Sequence, residues 1–468
     1  VIPYQLALLG FVFAGTLLMS IRNSALAFSL VWTIGTFFLP SNRGLNLEGL
    51  PYIDKTVVIN LALIAGTVFF HQEVLNRFRP RMSDILLIAW MGSIVATSVL
   101  NLHGLYDGMS SAFDQVLGFV SLLFFARIYL QTPEALKTFV YTLVCTCIAY
   151  LPLMIWEFRM SPQLHTTVYG YFPHVFIQHF RWGQWRPIVF YVHALQLGRM
   201  FALVAFLSLF PLRKELARIL PFGQFAFVFP MIGLVCSLSF GPYLMFLLLS
   251  GFYLFGRRTT WLLYVMPICA FIWLGIVFTG GETGELFVDM VRLISNQRAE
   301  SLEYRLEALE DYRTNIMEKP FFGWGGWGSG RITGRATDSA ILIMSLSRGF
   351  VGAILYFGWH FWMMHICLRA YHMTRGSRFG NLAFSVAILF SIALSVSTID
   401  AALDGHTAPL AVGVAAVALA VRQRRLMAPQ PLAAPGETPQ SSQQRTAYAS
   451  RVALHAMQRK EKDAERPP

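Results

Sequence analysis

Residues 338–370 read DSAILIMSLSRGFVGAILYFGWHFWMMHICLRA. A helix that crosses a bilayer takes roughly 17 to 25 residues, so this run is too long for one simple crossing. Arg348 and Gly349 interrupt it, and an arginine inside an apolar run needs a partner or a wet cavity. The pattern points to a vestibule-lining segment over 338–348 followed by a true crossing at about 350–370.

The same character extends over most of the chain. Hydrophobic residues fill 55% of 468 positions, charged residues 13%, and the mean hydropathy is +0.53, which excludes a water-soluble globule. Apolar runs occur near 3–20, 24–40, 56–71, 84–100, 113–130, 138–156, 188–210, 222–237, 241–255, 261–279, 338–370, 381–398 and 406–421. They define an all-α, polytopic transmembrane protein of about 12 to 13 helices. The first run lacks a basic leader, so no cleavable signal peptide is expected.

Short loops rich in Lys and Arg belong in the cytoplasm. One alternate set carries Arg77, Arg79 and Arg81, then Lys137, then Arg213, Lys214 and Arg218, then Arg257 and Arg258, then Arg375 and Arg378, and last Arg422, Arg424 and Arg425. The other set, 41–55, 101–112, 157–187, 280–337 and 399–405, then faces outward, and any chemistry is expected there. The +12 net charge lies dispersed over loop ends, which argues against nucleic acid as a partner and for the lipid bilayer. The five cysteines sit inside apolar runs with no metal or disulfide spacing. One transmembrane domain is expected over 1–425, including the loops 157–187 and 280–337, followed by a disordered cytoplasmic tail over 426–468 rich in Pro, Gln, Ser and charge.

The polar interlude 280–337 is the larger outward loop. Within 297–319, Leu302, Leu306, Leu309 and Ile316 recur at helical spacing and Pro320 ends the pattern, which gives an amphipathic helix. Arg298, Arg305 and Arg313 fall within or beside the leucine stripe, and Glu300, Glu303, Glu307, Glu310 and Asp311 lie opposite. Two uses suit such arginines: snorkelling to lipid phosphates, or, for Arg305, forked binding of a lipid-linked diphosphate. After the helix, glycine-rich backbone around Trp324 and Trp327 suits close approach to a ligand. The two indoles suit either stacking on sugar rings or anchoring at the membrane surface. Thr337-Asp338-Ser339 has the form of a helix N-cap, and Asp338 is also a candidate catalytic carboxylate. Asp400 and Asp404, in the last outward loop, are candidate partners for the arginines.

The loop 157–187 is basic and aromatic together, with Arg159, His165, His174, His179, Arg181, Trp182, Trp185 and Arg186. Its histidines lack a recognised metal spacing and read as polar loop residues. Pro187 is expected to start the next membrane helix, which would set Arg186 at the headgroup plane with His193 about two turns on.

At these residues the chain resembles the O-antigen ligase and O-antigen polymerase superfamily of bacterial envelope enzymes. Their signature joins His plus Asn, Ser or Gln to Gly-x-x-Gly, or a variant of it, across nine residues. Here Asp338-Ser339, nine residues, and Gly349-Phe350-Val351-Gly352 reproduce that spacing. They are preceded by Arg305 and by Lys319-Pro320-Phe321-Phe322-Gly323-Trp324-Gly325, similar to the family's arginine and its Pro-hydrophobic-x-Gly-x-Gly segment. Asp338 stands where the ligases carry His. Arg186 resembles the family's earlier periplasmic arginine, and Ser239-Phe240-Gly241 sits where many members have Ser-Arg-Gly, here without the arginine.

The resemblance implies transfer of a glycan from an undecaprenyl diphosphate carrier to an acceptor sugar or glycolipid, in the inner membrane, with the site facing the periplasm or cell exterior. It implies no cofactor, no nucleotide sugar and no metal. Arg186, Arg305 and Arg348 would hold the diphosphate, Asp338 would act as general base, and Trp324, Trp327, Arg181 and His193 would contact glycan. The alternative is a transporter or flippase for lipid-linked glycan, in which the arginines line a pathway and no bond is made.

Overall fold

The computed structural model describes residues 1–47, 52–219, 223–278, 283–293, 296–325, 339–398 and 408–427. Asp338, Trp327, Arg331, Arg335, Asp400 and Asp404, the side chains of Arg298 and Arg305, and the tail from residue 428 lie outside the described residues.

All thirteen apolar runs carry a helix. Five helices are long and apolar enough to cross a membrane: Met82–Leu100, Leu105–Tyr129, Pro133–Met160, Ala340–Met373 and Arg378–Val396. Ala194–Leu209 and Arg213–Ile219 meet that test together across an 84° bend, and the shorter apolar helices include Tyr4–Leu18, Ser24–Phe38, Lys55–Phe70 and Phe240–Phe255. Helices satisfy their own backbone hydrogen bonds, which is what an apolar surround demands. Among the described residues, β structure is confined to a two-residue ribbon, Phe180–Arg181 with Gln184–Trp185, and one bridge between Leu45 and Ile53.

Arg378–Val396 is the central post of the bundle. Of its apolar window 83% is buried, against a third to a half for the other four spans, because Ala340–Met373, Leu262–Phe278 and Phe240–Phe255 pack around it. Small residues such as Ala383, Ala387 and Ser391 let those neighbours approach. At one end of the bundle Asp84, in the first turn of Met82–Leu100, forms a partly buried ion pair of 2.7 Å with Arg127, near the close of Leu105–Tyr129.

The opposite end of Met82–Leu100 holds the feature that positions the site. Ala340–Met373 is broken at Gly349, whose φ of 65° and ψ of −175° no helix tolerates. Residues 320–325 thread into that break as a strap. Phe350 N donates to Pro320 O at 2.7 Å and Val351 N to Phe321 O at 3.1 Å. In return Trp324 N donates to Leu346 O at 2.9 Å and Gly325 N to Ser347 O at 3.0 Å. The backbone groups freed by the break are therefore paired by the strap. The helix 82–100 and the residues after it clamp the outside: Thr97 Oγ1 donates to Phe322 O, Asn101 Nδ2 to Gly323 O, and Lys319 Nζ to Asn101 Oδ1 at 2.5 Å. The amphipathic segment forms the helix Asn296–Glu318, with Leu309, Tyr312 and Ile316 buried against Leu342 and Leu346.

Candidate functional site

The loop that carries Arg186 is built from its turn outward. Trp182 and Gly183 have φ of 52° and 73°, the pair of left-handed residues that closes a tight two-residue hairpin. Phe180 then faces Trp185 and Arg181 faces Gln184, and Arg186 N donates to His179 O at 2.7 Å. Arg181 stands half-buried on this ribbon.

Pro187 does not open the helix. Residues 187–193 are irregular and the helix starts at Ala194, with the His193 ring capping it by accepting from Leu195 N at 3.0 Å. The reason is Glu157, a fully buried carboxylate near the end of Pro133–Met160. It accepts from Ile188 N at 2.8 Å, Val189 N at 2.7 Å and Leu164 N at 2.9 Å. Those bonds hold the segment out of helical geometry and keep Val189 at φ 52°, an outlier for a β-branched residue.

Arg186 is 1% exposed. Its Nη2 donates to Ser239 Oγ at 2.5 Å and its Nε to Ser237 O at 3.3 Å, on a turn that places Leu238 at φ 44°. The fold thus joins Arg186 to Ser239, two positions far apart in the chain. Beside them three imidazoles gather: ring centroids are 5.5 Å apart for His174 and His179, 5.1 Å for His174 and His193, and 5.3 Å for His179 and His193. Burial, then the Arg186 charge, pushes His179 down to about 3, so it stays neutral at neutral pH. Among the described residues both ring nitrogens of His179 and Nδ1 of His174 lack a hydrogen-bond partner, and no cluster is arranged to hold a metal ion.

Arg348 is 8% exposed, immediately before the break at Gly349, and its Nη1 has no partner among the described residues. Asp107 and Asp114, on Leu105–Tyr129, supply the negative charge it feels. Asp114 also lines a cavity of about 820 Å³ that opens between Ser24–Phe38, Lys55–Phe70 and Leu105–Tyr129. Tyr191 and Gln196 close its other wall, so the segment 186–196 borders both the Arg186 niche and this cavity.

The other expected residues are placed differently. Trp324 packs with the cluster of Leu309, Ile316, Leu342 and Leu346, donates its indole N–H to Asn315 O at 2.8 Å, and carries the Lys319 ammonium 4.0 Å above its ring. Arg305 lies in the helix Asn296–Glu318, and Arg313 in the same helix pairs with Glu310 at 3.6 Å. Asp338 lies outside the described residues, and Ser339 is the N-cap, accepting from Leu342 N and donating to Thr398 O at 2.9 Å. Sequence reasoning missed Glu157, the convergence of the histidines, and the cavity with Lys55 and Asn60. A lone carboxylate or amide beside or inside an apolar run was the available signal for Glu157 and Asn60. No family model matches the chain, and no curated protein matches it.

Proposed function

We propose that this protein is an integral-membrane glycan transferase, which moves an oligo- or polysaccharide from undecaprenyl diphosphate to an acceptor sugar, as a polysaccharide polymerase or a divergent O-antigen ligase. The observation that carries the reading is Arg186. Its guanidinium is withdrawn from water and hydrogen-bonded to a serine hydroxyl and a serine carbonyl, beside the His179 imidazole, which remains uncharged. A buried guanidinium favours an incoming oxyanion strongly, and a diphosphate leaving group supplies one.

In this mechanism the acceptor hydroxyl attacks the anomeric carbon and the bond from that carbon to the diphosphate oxygen breaks. Undecaprenyl diphosphate leaves with the bonding electrons, and its growing negative charge is held by Arg186, Arg305 and Arg348. The hydroxyl proton passes to the Asp338 carboxylate. The site belongs to the inner membrane and faces the periplasm or cell exterior.

The break at Gly349 favours a second reading, because interrupted helices also mark transporters. Purified protein in nanodiscs, mixed with undecaprenyl-diphosphate-linked oligosaccharide, is expected to release free undecaprenyl diphosphate. Movement of intact carrier across vesicles with no bond broken would support the transporter instead.

A further inference from the structure

We propose that the cleft at the basic end of the bundle, between Met82–Leu100, Leu105–Tyr129, Ala340–Met373 and Ala408–Met427, binds an anionic phospholipid, with the phosphate at Arg81 and an acyl chain along the cleft. It lies at the end of Met82–Leu100 away from the strap and does not rest on the transferase reading.

The cleft encloses about 370 Å³, within the size of a small-molecule site. Its ends differ in chemistry. One end carries Arg81, Asp84 and Arg127, and beyond them the wall turns apolar, with Leu87, Val120, Phe124 and Ile366 each partly exposed along it. Ile88, on the same wall, sits in a helix of membrane length and is 70% exposed, so the cleft opens on the side that would face lipid chains.

The polar end holds more cation than anion. Both oxygens of Asp84 are already engaged: Oδ1 accepts from Arg127 Nη1 at 2.7 Å and Oδ2 from Arg81 N at 2.8 Å. Arg127 also donates to the Arg79 carbonyl and lies 4.8 Å over the Phe78 ring. The half-buried Arg81 guanidinium makes no hydrogen bond among the described residues. Burial, then the Arg127 charge, pushes Arg81 down to about 10, so it stays charged at neutral pH beside another cation. Arg77 and Arg79 add exposed positive charge from the same short loop. A phosphate monoanion balances this excess, and the fork of Arg81 suits its oxygens.

A soluble anion would use the polar end alone, and a zwitterionic lipid brings its own cation to a place that already has too many. Charge and cleft together select a lipid of net negative headgroup, as basic pockets between membrane helices on the cytoplasmic side do. The run Arg77, Arg79, Arg81 assigns this end to that side.

Delipidated full-length protein in detergent is titrated with phosphatidylglycerol, with phosphatidylcholine of the same chains, and with inorganic phosphate, and bound lipid is counted by native mass spectrometry. Wild type is expected to bind phosphatidylglycerol about fivefold or more tighter than phosphatidylcholine, and excess inorganic phosphate should not displace it. Arg81→Gln should lower phosphatidylglycerol affinity about fivefold while changing phosphatidylcholine less. Arg258→Gln removes the same charge from an exposed arginine in another basic loop, outside the cleft, and should keep wild-type affinity.

Equal affinity of wild type for the two lipids, equal loss in Arg81→Gln and Arg258→Gln, or displacement by inorganic phosphate overturns the assignment. If Arg81→Gln does not accumulate, Ile88→Asn decides, because it sets a polar amide on the apolar wall and leaves every charge in place. It should weaken phosphatidylglycerol about fivefold, and unchanged affinity overturns the assignment.

Discussion

A Cβ built on Gly323 would lie 2.5 Å from the Gly349 nitrogen, and one built on Gly349 would run into the Phe321 carbonyl, so strap and broken helix meet backbone to backbone. Both residues have positive φ, 66° and 65°. Gly349→Ala therefore adds a clash to a left-handed strain, and is expected to cost about 2 kcal/mol or more. Thermal unfolding in detergent should show a lower midpoint, and limited proteolysis should cut faster near residues 319–325. An unchanged midpoint would mean that the strap does not depend on this contact.

Glu157 is expected to control the segment that presents Arg186. Glu157→Gln keeps the volume but leaves one acceptor oxygen where two serve the N–H groups of Ile188, Val189 and Leu164. With a buried N–H left unsatisfied, roughly 1 to 3 kcal/mol should be lost. Hydrogen exchange at residues 186–193 should accelerate ahead of the bundle core. Uniform exchange across the chain would argue against a local clamp.

Acidification should loosen the same loop. Burial pushes His179 down to about 3 and His165 down to about 4, below the ordinary 6.5. The opened loop takes up protons first as the pH falls through 6.5, so stability is complete above that value, declines below it, and levels off near 3 to 4. Protection of residues 161–186, taken relative to the intrinsic exchange rate at each pH, should be lower at about pH 5 than at about pH 7.5, by roughly 2 kcal/mol per histidine. Equal protection at both would place the histidines in ordinary, solvated surroundings.

Arg348→Met separates binding from folding. A buried arginine with Nη1 unpaired costs desolvation, and its removal relieves that cost while withdrawing the positive charge that faces Asp107 and Asp114. The variant is expected to fold with a thermal midpoint close to that of wild type, the two effects opposing each other, and to lose about tenfold or more of glycan transfer through the missing phosphate contact. Full transfer activity would make Arg348 a structural residue.

The sequence pattern carried the helices, because apolar runs of bilayer length have few other structures open to them. It also carried the break, since Arg348-Gly349 sets a charge beside a glycine within that long run. The role of Pro187 was not legible. A proline in front of an apolar run is compatible with a first helical turn, and only the distant Glu157 carboxylate draws the backbone away from it. His174, His179 and His193 share no period, and a hairpin and a turn bring their rings together. Trp324 stood beside glycines as a sugar platform would, yet its N–H is taken up by Asn315, a partner fixed by how the strap folds back on its helix. Asn60, inside an apolar run, and Lys55, at the end of an outward loop, line a cavity that exists only once three helices enclose it.

Binding of sugar-free undecaprenyl diphosphate to wild type, Arg186→Lys and Arg186→Gln, by calorimetry in nanodiscs, is the most direct test of the diphosphate site. The Lys variant keeps the charge but loses the fork, and the Gln variant loses both. Affinity is expected to fall about tenfold or more for Lys and further for Gln. Equal affinity in all three proteins would contradict Arg186 as the group that holds the diphosphate.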